Sequence, residues 1–325
     1  MRAIVRQSYG GPEQLVAQRV PDPKPLAGHV IIEVKAFGLN HAEIYFRTGA
    51  WGDVAKISGI ECVGVVRDDP DGRFRPGEKV ATMMGGMGRS IDGSYAELTR
   101  VRSAHVVPIR TALAWEELAA IPESYATAWT CLHRNLGLTA GQTLLIRGAT
   151  SALGQAALNI AANTDVRVIA TTRNPERLAT LAAMGADEAM LDDAALSQRI
   201  RERHADGIDA ALDLVGNSTL LDTLAAVRPG GHVCLAGFLG GGAPVAAFDP
   251  LTQMPSGVQF SFFGSFNFGT PHYPLSDIPL QSIVDRVADG TYKAKPAKVF
   301  HFDEIQAAHR LMESNAANGK IVVRL

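Results

Sequence analysis

Along the first hundred residues, apolar positions come in short β-branched runs with no helical period sustained between them. Residues 29–36 (HVIIEVKA) and 59–67 (GIECVGVVR) are two such runs, bounded by Pro, Gly or Asp, and they predict strands of a β-rich unit. From about residue 118 the pattern changes to strands alternating with Ala-rich helical stretches, which is how βαβ units of a parallel sheet read. Strands are predicted over 143–146, 166–170, 208–215 and 232–236, with helices over 153–163, 175–184 and 218–227. Past a Gly/Pro-rich stretch at 240–255 the regularity fails; 303–313 then predicts an amphipathic helix and 321–325 a closing strand assigned back to the first unit. The expected fold class is α/β. A β-rich domain over 1–118, completed by 258–325, is joined to a doubly wound parallel-sheet domain over 119–257.

Composition narrows the function without adding to the fold. A chain of 325 residues suits two cores, and no run of about 18 apolar residues offers a membrane span. The start, MRAIVRQSYGG, lacks the apolar stretch of a secretory signal, so a cytoplasmic protein is expected. Cys62, Cys131 and Cys234 lie far apart in the chain, giving neither a disulfide framework nor a metal knuckle, and read as small buried hydrophobes. With 31 basic against 33 acidic residues there is no basic excess for a phosphate backbone, so nucleic acid is not an expected partner.

The strongest local signal is 142–154, QTLLIRGATSALG. An apolar strand runs into a small-residue turn that opens a helix, so backbone N–H groups of Gly148, Thr150, Ser151, Ala152, Leu153 and Gly154 are candidates to face a pyrophosphate. The usual glycine spacing is not intact, because Ser151 stands where a glycine is common; its hydroxyl is expected to add a donor. After the second strand, where folds of this kind place an acid for an adenosine ribose, the chain has Thr171, Thr172, Arg173 and Asn174, with Arg177 one turn on. No carboxylate follows, and two guanidiniums with two hydroxyls suit a 2′-phosphate, hence NADPH; solvated surface arginines are the plainer alternative. Val215, Gly216, Gly237 and Phe238 follow two later strands, at the carboxyl ends where ligands of α/β sheets bind.

The series 38–49 (GLNHAEIYFRTG), 57–66 (ISGIECVGVV), 74–81 (FRPGEKVA), 93–98 (GSYAEL), the glycine turn and 319–322 (GKIV) resembles the ordered landmarks of the medium-chain dehydrogenase/reductases, and within them the zinc-independent quinone oxidoreductases. The resemblance implies a GroES-like catalytic domain built from both chain ends, a Rossmann domain inserted between them, a cofactor cleft at their junction and a homodimer. It also implies roles: Asn40 beside the nicotinamide, Tyr45 and Trp51 lining the acceptor site, Thr127 against the nicotinamide side and Lys320 near the pyrophosphate. For each a plainer reading stands: a loop cap for Asn40, core packing for the aromatics, a surface position for Lys320.

Asn40-His41 and Ile60-Glu61 stand where the zinc enzymes of that superfamily carry their ligands, and residues 83–95 hold none of the cysteines a structural zinc lobe needs, so no metal is expected. Without a Lewis acid an already electrophilic acceptor is favoured, a quinone foremost. An NADPH-dependent reductase of alkenal or enone double bonds is the nearest alternative; a non-catalytic cofactor-sensing or nucleic-acid-binding relative is another. Tyr45 and solvent are equal candidates for the proton source. The four phenylalanines of 262–268 (FFGSFNF) are read as shaping an acceptor pocket or an interface.

Overall fold

The computed structural model describes all residues, Met1–Leu325, and the chain divides into two units. One comprises Met1–Ala126 with Ser265–Leu325, the other Thr127–Gly264. These seams fall a few residues after the pattern changes at 118 and 258, because the helix Pro122–Thr130 runs across the first of them without a break.

In the β-rich unit the long strand His29–Gly38 is the organising element. It pairs antiparallel with Glu61–Asp68, with Leu98–Arg102 and with the closing strand Ile321–Arg324. A strand with neighbours on both edges has its backbone fully paired, and its side chains Val30, Ile32, Val34 and Phe37 enter a core shared with Cys62, Val66, Tyr95, Val101, Phe302 and Val323. The closing strand matters most for function. Its register sets Val322 opposite Gly38, which delivers residue 320 beside residues 38–40 from the far end of the chain.

The other unit is a six-stranded sheet, parallel throughout, in the order Glu188–Leu191, Arg167–Thr172, Thr143–Arg147, Ile208–Asp213, Val227–Leu235, Gln259–Phe262. Its central strands are apolar because both faces are buried: Leu145, Ile169, Ala211 and Val233 pack with Leu196, Ile200, Leu220 and Leu224 of the helices on one side, and Leu144, Ile146, Val168 and Leu212 are fully buried on the other. Sequence periodicity passes over three of these elements. Glu188–Leu191 is only four residues long, the helix Leu196–Arg203 has only two apolar residues, and Gln259–Phe262 is an edge strand with exposed positions.

Cys62, Cys131 and Cys234 are free and buried, in keeping with their reading as small hydrophobes, and a hydrogen-bonding contact between Cys131 and Cys234 in the parallel-sheet unit lowers the Cys234 thiol below its ordinary value. Of the four phenylalanines in 262–268, Phe263 and Phe268 are buried, and Phe262 and Phe266 are exposed.

Candidate active site

In the parallel-sheet unit the strand Thr143–Arg147 ends at Gly148, whose φ of +81° favours glycine, and the helix Ala152–Ala161 begins four residues later. A Cβ on Gly154 would lie 2.5 Å from the Gly148 carbonyl oxygen, so the helix approaches the turn as closely as only glycine allows. The Ser151 hydroxyl is not a spare donor. It donates to the Gly148 carbonyl at 2.9 Å and accepts from the Gly154 N–H at 3.1 Å, which makes it the N-cap of the helix. The N–H groups of Thr150, Ala152 and Leu153 belong to the same turn and helix start, the geometry that suits an anion.

The loops after the neighbouring strands close on this turn. A Cβ on Gly148 would meet Leu239 at 3.3 Å and Leu214 and Val215 at 3.5 Å, and one on Gly216 would lie 2.7 Å from the Gly237 carbonyl oxygen. Val215, Gly216, Gly237 and Phe238 are thus gathered with Gly148 at the carboxyl ends of three adjacent strands. Asp213 fixes the second loop by accepting the N–H groups of Val215 and Gly216, both at 2.9 Å, and the hydroxyls of Thr219 and Thr223. Burial raises the pKa of Asp213 despite these bonds.

Beyond the second strand, Arg173 is exposed and Arg177 half-buried, with the buried Thr172 beside them. Thr171 does not join them, since it accepts the Gly148 N–H at 3.3 Å and donates to Asp192 at 2.9 Å. Nor is the region free of carboxylates. Asp192, from the end of the neighbouring strand, sits against Thr171, but it is ion-paired at 2.8 Å with Arg147, which is 2 % exposed. Arg147 also bonds Asp222 at 2.7 Å and Thr223 at 3.1 Å. Sequence reading missed this network, although an arginine closing the apolar strand TLLIR and an aspartate closing IDAALD were the available signal.

In the β-rich unit three side chains close a triangle. Lys320 donates to Glu61 Oε1 at 2.5 Å and to Asn40 Oδ1 at 2.7 Å, and Asn40 Nδ2 donates to Glu61 Oε1 at 2.8 Å. Glu61 Oε2 accepts the Glu123 N–H at 2.9 Å. The triangle fits only because residue 38 is glycine, where a Cβ would lie 2.3 Å from Lys320 Cε. Lys320 is therefore buried and paired, not a surface lysine, and the side chain of Asn40 is fixed at both ends.

Beneath it lies a second buried carboxylate. Glu43, in the first turn of the helix Ala42–Thr48, accepts the N–H groups of Asn40 and Ile60 and the Tyr95 hydroxyl at 2.7 Å; the same hydroxyl lies 3.0 Å from His309 Nε2. Burial pushes Glu43 up to about 7 and His309 down to about 3. The signs oppose. Glu43 holds its proton more tightly folded than unfolded, so its contribution is lost as pH rises from the ordinary carboxylate range to about 7; that of His309 is lost as pH falls below its ordinary value of 6.5. Glu43→Gln should expose the histidine alone: between pH 5 and 7 the variant should gain stability on the order of 1–2 kcal/mol more than the parent gains, read from urea midpoints. Parallel profiles would contradict the assignment.

On the same helix Tyr45 stacks on Trp51 with centroids 4.7 Å apart, and His41 meets Tyr45 edge-on at 5.5 Å. Partial burial raises the Tyr45 pKa, keeping a neutral phenol, and lowers that of His41, keeping a neutral imidazole. Thr127 is a buried residue at the start of the parallel-sheet unit.

A parallel sheet whose first crossover is a glycine turn opening a helix, carried in one chain with a β-rich unit completed by the C-terminal strand, defines the class of two-domain dehydrogenases. Comparison with known proteins narrows it. Residues 26–111 match the family model for the alcohol dehydrogenase GroES-like domain, and residues 152–275 that for zinc-binding dehydrogenase. Rat quinone oxidoreductase is 28 % identical over 273 residues, covering 82 % of this chain and 81 % of its own. A crystal structure of an NAD-dependent alcohol dehydrogenase is 27 % identical with a TM-score of 0.84, covering 100 % of both chains. Escherichia coli quinone oxidoreductase, solved with NADPH, is 20 % identical with a TM-score of 0.87, again over 100 % of both chains. The chain belongs to the medium-chain dehydrogenase/reductases, as a quinone oxidoreductase-like oxidoreductase with a GroES-like and a Rossmann domain.

The residues at the zinc position do not fit a zinc ion. Both ends of the Asn40 amide are engaged, Glu61 already holds an ammonium group, and Ile60 offers no donor. The model named for zinc matches a stretch that contains none of these three residues.

Proposed function

We propose that this protein reduces quinones, or similarly activated carbonyl compounds, with NADPH and without zinc. The observation that carries the reading is the Lys320–Glu61–Asn40 triangle, in which a buried ammonium group satisfies the carboxylate that a metal would need. A site without a Lewis acid suits an acceptor that is electrophilic on its own. The glycine turn fits a dinucleotide: Gly148, Thr150, Ser151, Ala152, Leu153 and Gly154 would hold its pyrophosphate. Thr172, Arg173 and Arg177 would hold a 2′-phosphate, and Val215, Gly216, Gly237 and Phe238 would line the sugar and nicotinamide side. When bound, NADPH supplies a hydride. Asn40, immobilised by Lys320 and Glu61, presents a fixed amide; Thr127 takes the nicotinamide side; Tyr45 and Trp51 give the acceptor a flat aromatic wall and exclude water.

The test is an acceptor panel at fixed NADPH, covering quinones, alkenals and enones, followed at the nicotinamide absorbance band in untreated and chelator-treated protein. Quinone turnover that survives chelation is expected; turnover confined to alkenals and enones would replace this reading with double-bond reduction. About one zinc per chain, with activity lost on its removal, would overturn the metal-free claim.

Catalysis by positioning makes a graded prediction at the aromatic wall. Tyr45→Phe keeps the stack and should lower kcat with a quinone by less than about tenfold, whereas a committed proton donor contributes roughly 10² to 10⁴. Trp51→Ala removes the wall and should cost more than Tyr45→Phe. A hundredfold loss in Tyr45→Phe, with NADPH binding intact, would make the phenol the proton donor. A homodimer is proposed as well, because the edge strand Gln259–Phe262 exposes Phe260 and Phe262, and an apolar edge needs cover. A monomer mass in sedimentation would reject it.

A further inference from the structure

The loop between the strand Lys79–Met83 and Ile91 is tightly fixed. Met84, Gly85, Gly86 and Gly88 all take positive φ, and the backbone of Arg89 is held at both ends, its N–H on the Gly86 carbonyl at 3.0 Å and its carbonyl accepting the Ala55 N–H at 2.8 Å. Its guanidinium lies 5.8 Å from the ring centroids of Phe46 and Trp51 and 5.6 Å from that of Phe266. These three faces are its only side-chain partners; no carboxylate pairs with it and no hydrogen bond takes up its N–H groups. The other half-buried or buried arginines around it are spent: Arg6 on the Val54 carbonyl, Arg47 on Glu313 and the Gly10 carbonyl. A planar cation with five unused donors, half-buried among rings, is the arrangement that recognises an anion attached to a flat apolar body. Two of its rings are open to such a body, Trp51 at 40 % and Phe266 at 52 % exposure, and Trp51 carries Tyr45 stacked on its face.

The geometry points to Arg89 as a carboxylate-binding subsite: the acceptor carries an anionic group that pairs with Arg89 while its conjugated ring lies on Trp51 and Tyr45. This rests on the reading of Tyr45 and Trp51 as the acceptor wall, and it names the acceptor class as a conjugated carbonyl compound bearing a carboxylate. Arg89 acts here on specificity and takes no part in bond making.

The test is equilibrium titration of the full chain with naphthoate and with its neutral amide, read by tryptophan fluorescence, in the parent, Arg89→Met and Arg89→Lys proteins. Steady-state rates for a quinone pair differing by one carboxylate are measured in parallel. The parent should bind naphthoate at least about tenfold more tightly than the amide. Arg89→Met should bring that ratio close to one, and Arg89→Lys, which keeps the charge and loses the planar fork, should fall between. The preference for the carboxylated quinone in kcat/KM should shrink by the same factor and appear in KM. Equal affinity for acid and amide in the parent, or binding of neither, would overturn the subsite, as would an Arg89→Met variant that loses NADPH affinity as strongly as naphthoate affinity. Should Arg89→Met unfold, added salt on the parent makes the same decision: naphthoate affinity must fall with ionic strength more steeply than amide affinity, and parallel behaviour rejects the proposal. A parent that prefers naphthoate but reduces no quinone would reject the proposed reaction and leave the anion subsite standing.

Discussion

Lys320→Met is expected to destabilise the β-rich unit by about 3–5 kcal/mol, because it leaves the fully buried Glu61 carboxylate without its counter-charge. Methionine keeps the unbranched stem that passes Gly38, so the loss is one of charge and not of volume. The companion variant Glu61→Gln keeps an oxygen for the Glu123 N–H and removes the charge from the other side. In the double variant the two neutral side chains should recover about 2 kcal/mol relative to the sum of the single losses, measured as a coupling energy from denaturant unfolding. Strict additivity would mean that Lys320 and Glu61 do not act as a pair. Activity should fall in each single variant with the fold intact at low temperature, since Asn40 loses one of the two groups that hold its amide.

The second large effect is on cofactor choice. NADPH should bind at least tenfold more tightly than NADH, and the Arg173→Ala, Arg177→Ala double variant should lose most of that advantage, since charge-assisted hydrogen bonds contribute roughly 1.5–3 kcal/mol each when shielded and less at an exposed residue such as Arg173. Dissociation constants for both nucleotides, obtained from quenching of protein fluorescence, decide it. Equal affinities in the parent protein would sink the assignment. So would a double variant whose NADPH affinity is unchanged.

How far these arguments could be reached from the sequence differs between the two units. The parallel-sheet unit was legible in its central strands, where 144–146, 168–170 and 210–212 are apolar runs and glycine marks the turns at Gly148 and Gly216, whereas its two edge strands, short or part-exposed, were not. The fold class and the family follow from that pattern together with the spaced landmarks of the β-rich unit. What stayed hidden were partnerships between charged residues distant in the chain. Arg147 finds Asp192 and Asp222 only when three strands and a helix are side by side, and Glu43 meets Tyr95 and His309 only across the core. The expectation of two threonine hydroxyls beside the arginines erred for the same reason, since Thr171 points at a carboxylate contributed by the next strand. Periodicity reports which face of an element is buried, not which neighbour a buried polar group will meet.

The pairing of Ile321–Arg324 with His29–Gly38 also has a temporal meaning. Thr127–Gly264 is continuous, so on the ribosome that whole stretch leaves the exit tunnel while codon 320 is still unread. The nascent chain therefore carries a complete parallel-sheet unit and an unfinished partner in which Glu61 has no cation and His29–Gly38 lacks one of its neighbours. Competence at the Asn40 centre comes later than that of the parallel-sheet unit, because it waits until residue 320 has been made and has cleared the tunnel, and until then the nascent chain carries a formed Rossmann half and a charged gap in the other.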